Sequence, residues 1–260
     1  MERGVTAEAD EADFSPGAPP DVVPRPLLDT VPPQAPALAP PGSVRAPRRR
    51  VRPWRLLPTP TGTPFTFVYA ALLVGTSLFT LLADPDLVAS ALRESSTDAA
   101  HLAHTPVFVL VASALWIAGG VTSPFATGFL VVLTALERRI GSWRTAGVFL
   151  LGHVVATLAT EVPVGLSVVV GYLPESSLHR LDYGISFGVA ASVGALTGLL
   201  TPWLRWSVLL VFGGMLLDDL AAFTDPMTSC GHLMALTVGV ATWPLVRRWR
   251  RAFLSPASPL

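Results

Sequence analysis

Ser186 lies in the run Gly184-Ile185-Ser186-Phe187-Gly188. Gly-x-Ser-x-Gly is also the nucleophile elbow of soluble hydrolases, but that motif needs a strand before the serine and an α/β sheet around it. Neither is legible here, so the run is read as the start of a helix. There Gly184, Gly188 and Ser192 recur every four residues and let a neighbouring helix come close. A serine becomes nucleophilic only with a base beside it. His232, in Gly231-His232-Leu233-Met234-Ala235, is the candidate, with Ala235 and Gly239 on its face at i+3 and i+7. Each residue also has a plainer reading, Ser186 as a packing serine and His232 as a histidine bonded to a backbone carbonyl or a nearby aspartate. His153, Thr157 and Glu161 share one helix face and read either as a second polar site or as an interhelical hydrogen-bond network. Asp218, Asp219 and Asp225 either orient a histidine or end helices in solvent. His101 and His104, without further ligands, fall short of a metal site. The chain's one cysteine, Cys230, excludes an intrachain disulfide.

The elements that hold these residues must lie in a membrane. Of 260 residues 51% are hydrophobic and 14% charged, against about 25% charged in ordinary soluble domains. All 18 basic residues are Arg, and the formal net charge of zero gives no reason to expect nucleic-acid binding. A spanning helix needs about 20 mostly apolar residues. Candidates are 64–83, 122–136 with a few residues before it, 144–161, 184–200, 203–220 and 229–246. Between the first two lie a mixed polar segment, 84–104, and an apolar segment, 105–119, expected as an outer, partly inserted helix. Residues 1–57 are proline-rich and almost without aromatics, the composition of a disordered tail rather than a signal peptide.

Arginine sets the expected orientation, since it favours the cytoplasmic side. Arg45, Arg48, Arg49, Arg50, Arg52 and Arg55 put the N-terminus inside. Arg138, Arg139 and Arg144, then Arg205, then Arg247, Arg248, Arg250 and Arg251 fall inside after alternate crossings. Only one crossing then fits between 105 and 136, which gives six in all. Arg93 and Arg180 alone among the loop arginines land outside. The expectation is an all-α integral protein of the plasma membrane, with both ends cytoplasmic. It has a tail over 1–57, a six-helix membrane domain over 58–247 and a short basic tail over 248–260.

This pattern resembles the rhomboid family of intramembrane serine proteases. Leu136-Glu137-Arg138-Arg139-Ile140-Gly141-Ser142-Trp143-Arg144 is similar to that family's Glu-Arg-x-x-Gly-Ser-x-Arg stretch. Gly184-x-Ser186 matches its Gly-x-Ser, and His232-x-x-Ala235-x-x-x-Gly239 resembles its His-x-x-Gly-x-x-x-Gly. The resemblance covers about 64–246 and is similar in character to a divergent group in high-GC actinobacteria. It implies a bundle of six transmembrane helices with an outer, partly inserted helix between the first two. It also implies a Ser186–His232 dyad cleaving transmembrane segments of membrane proteins within the lipid bilayer, with no cofactor or metal.

The chain departs from the family pattern where the second helix usually carries His-x-x-x-Asn for the oxyanion. No histidine lies between His104 and His153, and the chain contains no asparagine. Ser123 and Thr127 are the side chains at hand to substitute, beside backbone amides of the Gly184–Phe187 run. Phe187 stands where better-known members have glycine. The alternative is a pseudoprotease that keeps the fold to bind membrane helices. A small transporter using His153 and Glu161 would be supported by internal repeats, and none is evident.

Overall fold

The computed structural model describes residues 57–255. The tail expected over 1–57, apart from Leu57, and the arginines from Arg45 to Arg55 lie outside the described residues. Every element among those described is helical. The protein is an all-α membrane protein, and its sequence explains where each helix begins. α1 (Pro64–Leu82), α2 (Pro85–Glu94), α4 (Pro106–Ser113), α5 (Pro124–Gly128), α9 (Pro202–Ala221) and α10 (Pro226–Ala241) all open on proline. Its fixed φ suits the first turn, where its missing N–H costs nothing. Asp84, Asp98, Ser123 and Asp225 add side-chain caps at the starts of α2, α3 (Ala99–His104), α5 and α10.

α1 and α7 (Ser142–Val169) are each long and apolar enough to cross a bilayer. α10 and α11 (Trp243–Leu254) pass the same test only together and are bent by 48° at Thr242. α8 (Ser186–Thr197) is apolar but shorter. α9 has the length of a span, with Arg205 near its start and Asp218 and Asp219 at its end.

Several expected boundaries shift, among them the end expected at 161, since α7 runs on to Val169. The stretch around 122–136 is not one regular helix but α5, a π-helical turn (Phe129–Leu133) and α6 (Thr134–Ile140) in succession. The outer helix expected over 105–119 ends at Ser113, and a run of turns that includes the positive-φ Gly119 and Gly120 follows. α11 continues past residue 247 to Leu254.

α8 is the central helix, almost wholly buried between α7 and α10. Small residues make this possible. A side-chain carbon at Gly239 of α10 would overlap the Ala191 carbonyl of α8, and one at Gly152 of α7 would overlap Ala191 itself. α1 is held at both levels of its length. The Glu137 carboxylate of α6 accepts from Phe65 N at 2.9 Å, Thr66 N at 2.8 Å and Thr66 Oγ1 at 2.6 Å. A negative charge there satisfies orphan amides and meets the positive end of the helix. Further along, Tyr69 packs edge-on against Phe129 and Phe149 and donates its hydroxyl proton to Ala114 O at 2.6 Å.

Candidate functional site

Ser186 is the first residue of α8, and His232 sits in the second turn of α10. Both helices run in the same direction, with α9 returning between them, so both residues stand near the same end of the bundle. They line one cavity of about 380 Å³, together with Ser123, Phe125, Tyr183 and Asp225. His232 is 7% exposed. Its ring stacks on Phe125 at 4.8 Å and meets the edge of Phe187 at 5.2 Å. Neither of its nitrogens has a hydrogen-bond partner among the described residues. Ser186 and His232 thus share a cavity without a hydrogen bond between them.

The segment that delivers Ser186 is fixed by its backbone. Gly184 N donates to Ser113 O at 2.9 Å, and Ile185 N donates to Trp116 O at 3.1 Å. Gly184 has φ +129°, and a side-chain carbon there would press on Ala118. Glycine is therefore required for both conformation and space. Ile185, at the cap position, has no polar side chain to engage the first amides of α8. Those amides have no intrahelical acceptor, as in any helix start. Phe187 is buried, and its ring fills the space beside Gly231 and packs against the His232 ring.

The other singled-out residues divide. Ser123 lines the cavity, and its Oγ accepts from Phe125 N at 3.3 Å as the cap of α5. Thr127 does not join it: one turn further on, it is exposed and lines a separate cavity with Ala70, Leu73 and Leu130. Asp218 and Asp219 are exposed at the end of α9 and do not line the Ser186 cavity. Asp225 does line it, but its carboxylate accepts from Thr228 N and Oγ1 and from Arg180. His101 pairs with Asp98 at 2.8 Å, and His104 is exposed.

His153 and Glu161 do not form one polar site. Both are buried on the same face of α7, but eight residues separate them by about 12 Å along the axis. His153 Nε2 lies 3.1 Å from Leu110 O and 3.2 Å from Ser113 Oγ. A carbonyl can only accept, so Nε2 carries the proton, and this nitrogen cannot serve as a base for Ser113. The contact ties α7 to α4.

Glu161 instead accepts a hydrogen bond from Arg180 Nη2. Arg180 also reaches Asp225 Oδ2 at 3.3 Å and Thr228 Oγ1 at 3.1 Å, with Asp182 Oδ2 at 3.9 Å. Burial pulls the Arg180 guanidinium down in pKa, but Glu161, Asp182 and Asp225 together hold it above its ordinary value. Asp182 lies on the opposite side of the balance. Burial raises its pKa, and Arg180 and Thr97 only partly counter this. Sequence reasoning missed this cluster, although Arg180 had stood out as an arginine on the expected outer side. The cluster fastens the segment before Ser186 to α7 and to the cap of α10.

Among the described residues, no group of three His, Cys, Asp or Glu is placed to hold a metal. No curated protein and no solved structure matches the chain. Residues 61–252, from just before α1 to near the end of α11, match the family described as rhomboid-like protein. That match spans most of the chain, and the chain belongs to the rhomboid-like family.

Proposed function

We propose that this membrane protein is a serine-type intramembrane endopeptidase, with Ser186 as nucleophile and His232 as base. The observation that carries the reading is that Ser186 opens into the same cavity as an imidazole with both nitrogens unspent. A structural histidine in a packed bundle is expected to be bonded, as His153 is. Catalytic hydrogen bonds are often long before substrate arrives and tighten in the complex. On this reading the dyad is completed when substrate brings Ser186 Oγ and a His232 nitrogen within hydrogen-bond reach.

In the reaction, Ser186 Oγ attacks a peptide carbonyl while its proton passes to His232. The tetrahedral oxyanion is met by the unpartnered amides at the start of α8, with Ser123 as the side-chain donor at hand. Collapse breaks the C–N bond, and His232 returns the proton to the leaving amine. Water then attacks the Ser186 acyl ester by the same route. The substrates are transmembrane segments of membrane proteins, locally unwound to reach the cavity.

A second reading is favoured by two observations. Ser186 and His232 are not hydrogen-bonded, and Thr127 is turned away from them. Losing one oxyanion donor alone can cost about 10²–10³ in rate. On this reading the chain is a pseudoprotease that binds membrane helices.

Labelling of the detergent-purified protein with a fluorophosphonate serine probe separates the two. An activated serine gives covalent labelling of the wild type that disappears in both Ser186→Ala and His232→Ala. A folded wild type that stays unlabelled sinks the protease reading and leaves the helix-binding one.

A further inference from the structure

The end of α8 opposite Ser186 closes on arginines. The last carbonyls of a helix have no partners in its own ladder. Here Arg205 of α9 donates from Nε to Thr197 O at 3.0 Å and from Nη2 to Leu200 O at 3.1 Å. Arg247 Nε of α11 donates to Gly198 O at 3.0 Å, and Arg250 Nη1 donates to Leu199 O at 3.2 Å. The Trp243 ring lies 5.1 Å from the guanidinium carbons of both Arg205 and Arg247. These contacts pin the guanidiniums while leaving several of the five N–H donors on each unspent.

Capping accounts for Arg205, Arg247 and Arg250. It does not account for Arg251, whose side chain makes no hydrogen bond among the described residues, nor for the space between the four. Together they line a cavity of about 450 Å³. Among the described residues, none of the four has a carboxylate within 4.0 Å, since the ion pairs there involve only His101 and Arg180. The charge is felt by its neighbours: burial, and then Arg250, lower the pKa of Arg139 at the end of α6. Positive charge is thus gathered around an open space, with no acidic side chain paired to it among the described residues.

We propose that the cavity between Arg205, Arg247, Arg250 and Arg251 binds a phosphate-bearing anion, seated against the unspent guanidinium N–H groups. Guanidinium forks match phosphate oxygens in geometry and charge. Arg205 and Arg247 are already ordered by carbonyls and by Trp243, so little freedom is lost on binding. Trp206 and Trp243 pack edge to face at 6.5 Å beside the site, and indole rings favour the headgroup level of a bilayer. The phosphate can therefore come from a phospholipid headgroup or from solution.

The test uses the full chain in phosphatidylcholine nanodiscs and follows the thermal midpoint. In one arm phosphatidylglycerol replaces part of the lipid. In the other, inorganic phosphate is titrated at constant ionic strength. The wild type is expected to gain stability in at least one arm. Arg251→Gln should bind about fivefold more weakly, the worth of one arginine against an anionic lipid surface. It should melt like wild type without phosphate or phosphatidylglycerol, because Arg251 holds no carbonyl of α8. Arg247→Gln should lose binding as well as some baseline stability, and Arg93→Gln, on α2, should respond like wild type. A response to phosphatidylglycerol alone assigns the site to a lipid headgroup, and a response to both assigns it to phosphate as such. No response in either arm, or an Arg251→Gln protein that responds like wild type, overturns the proposal.

Discussion

Arg180, in the segment that leads to Ser186, donates to the buried Glu161 of α7, and the second oxygen of that carboxylate has no partner among the described residues. Glu161 is fully buried, whereas Arg180 is 24% exposed. Removing the arginine strands a charge away from water, which costs about 3 kcal/mol. Arg180→Gln is expected to lower unfolding stability by that order. Glu161→Gln in the same chain should recover much of it, since the pair is then neutral. A double-mutant cycle by denaturant or thermal unfolding measures the coupling, and additive losses would show that the two residues act separately.

The same cluster predicts opposite pH responses at its two aspartates. Burial holds the Asp182 pKa above its ordinary value. The folded state therefore binds a proton more readily there, and that contribution is lost as pH rises through the raised value. Asp182→Asn should gain stability relative to wild type as pH rises above about 4. At Asp225 burial acts upward, but the Thr228 hydrogen bonds and Arg180 outweigh it and hold the pKa low. Its contribution is present above about pH 4 and fades as pH falls through the lowered value. Asp225→Asn should therefore cost stability at neutral pH and progressively less in acid. Melting curves of the two variants from pH 3 to 8 should diverge from wild type in opposite senses, and parallel curves would refute the assignment.

Glu137 is expected to hold the start of α1. It accepts from two amides and one hydroxyl there, and hydrogen bonds to a charged group are worth about 1.5–3 kcal/mol each. Glu137→Ala should lower stability by about 3 kcal/mol and speed hydrogen exchange at Phe65 and Thr66 before the middle of α1 is affected. Uniform exchange along α1 would place its anchorage elsewhere.

Gly184 and Gly171 separate a requirement of the site from simple backbone strain. Both have positive φ, but only at Gly184 would a side-chain carbon meet neighbours, namely Ala118 and the Trp116 carbonyl. Gly171→Ala should cost about 1 kcal/mol and leave fluorophosphonate labelling intact. Gly184→Ala should cost more and abolish labelling in protein that remains folded, because it shifts the residues just before Ser186. Equal labelling in the two variants would free Gly184 from any role in presenting the serine.

The sequence by itself determined the membrane class, the starts of most helices and the common end of Ser186 and His232. Each of these follows from local quantities: apolar run length, proline at first turns, and the distance of a residue from the start of its own helix. Short-range periodicity also marked the small residues at Gly188, Ala235 and Gly239, which the packed bundle uses where helices touch. What it left open was which neighbour each face meets. His153 and Glu161 share a face of α7, yet one turns to α4 and the other to Arg180, because a helix pattern defines a direction and not the element waiting there. Ser123 and Thr127 looked equivalent as donors. The start of α5 at Pro124 and the π turn after it set their register, leaving Ser123 beside Ser186 and Thr127 on another cavity. The Arg180 cluster and the arginine cavity join residues 19 to 51 positions apart in the chain, as in Arg180 with Glu161 and Asp225 or Leu199 with Arg250. Only the tertiary packing of α7, α8, α10 and α11 brings such charges within reach of one another, where low solvent access makes their pairing, or its absence, matter.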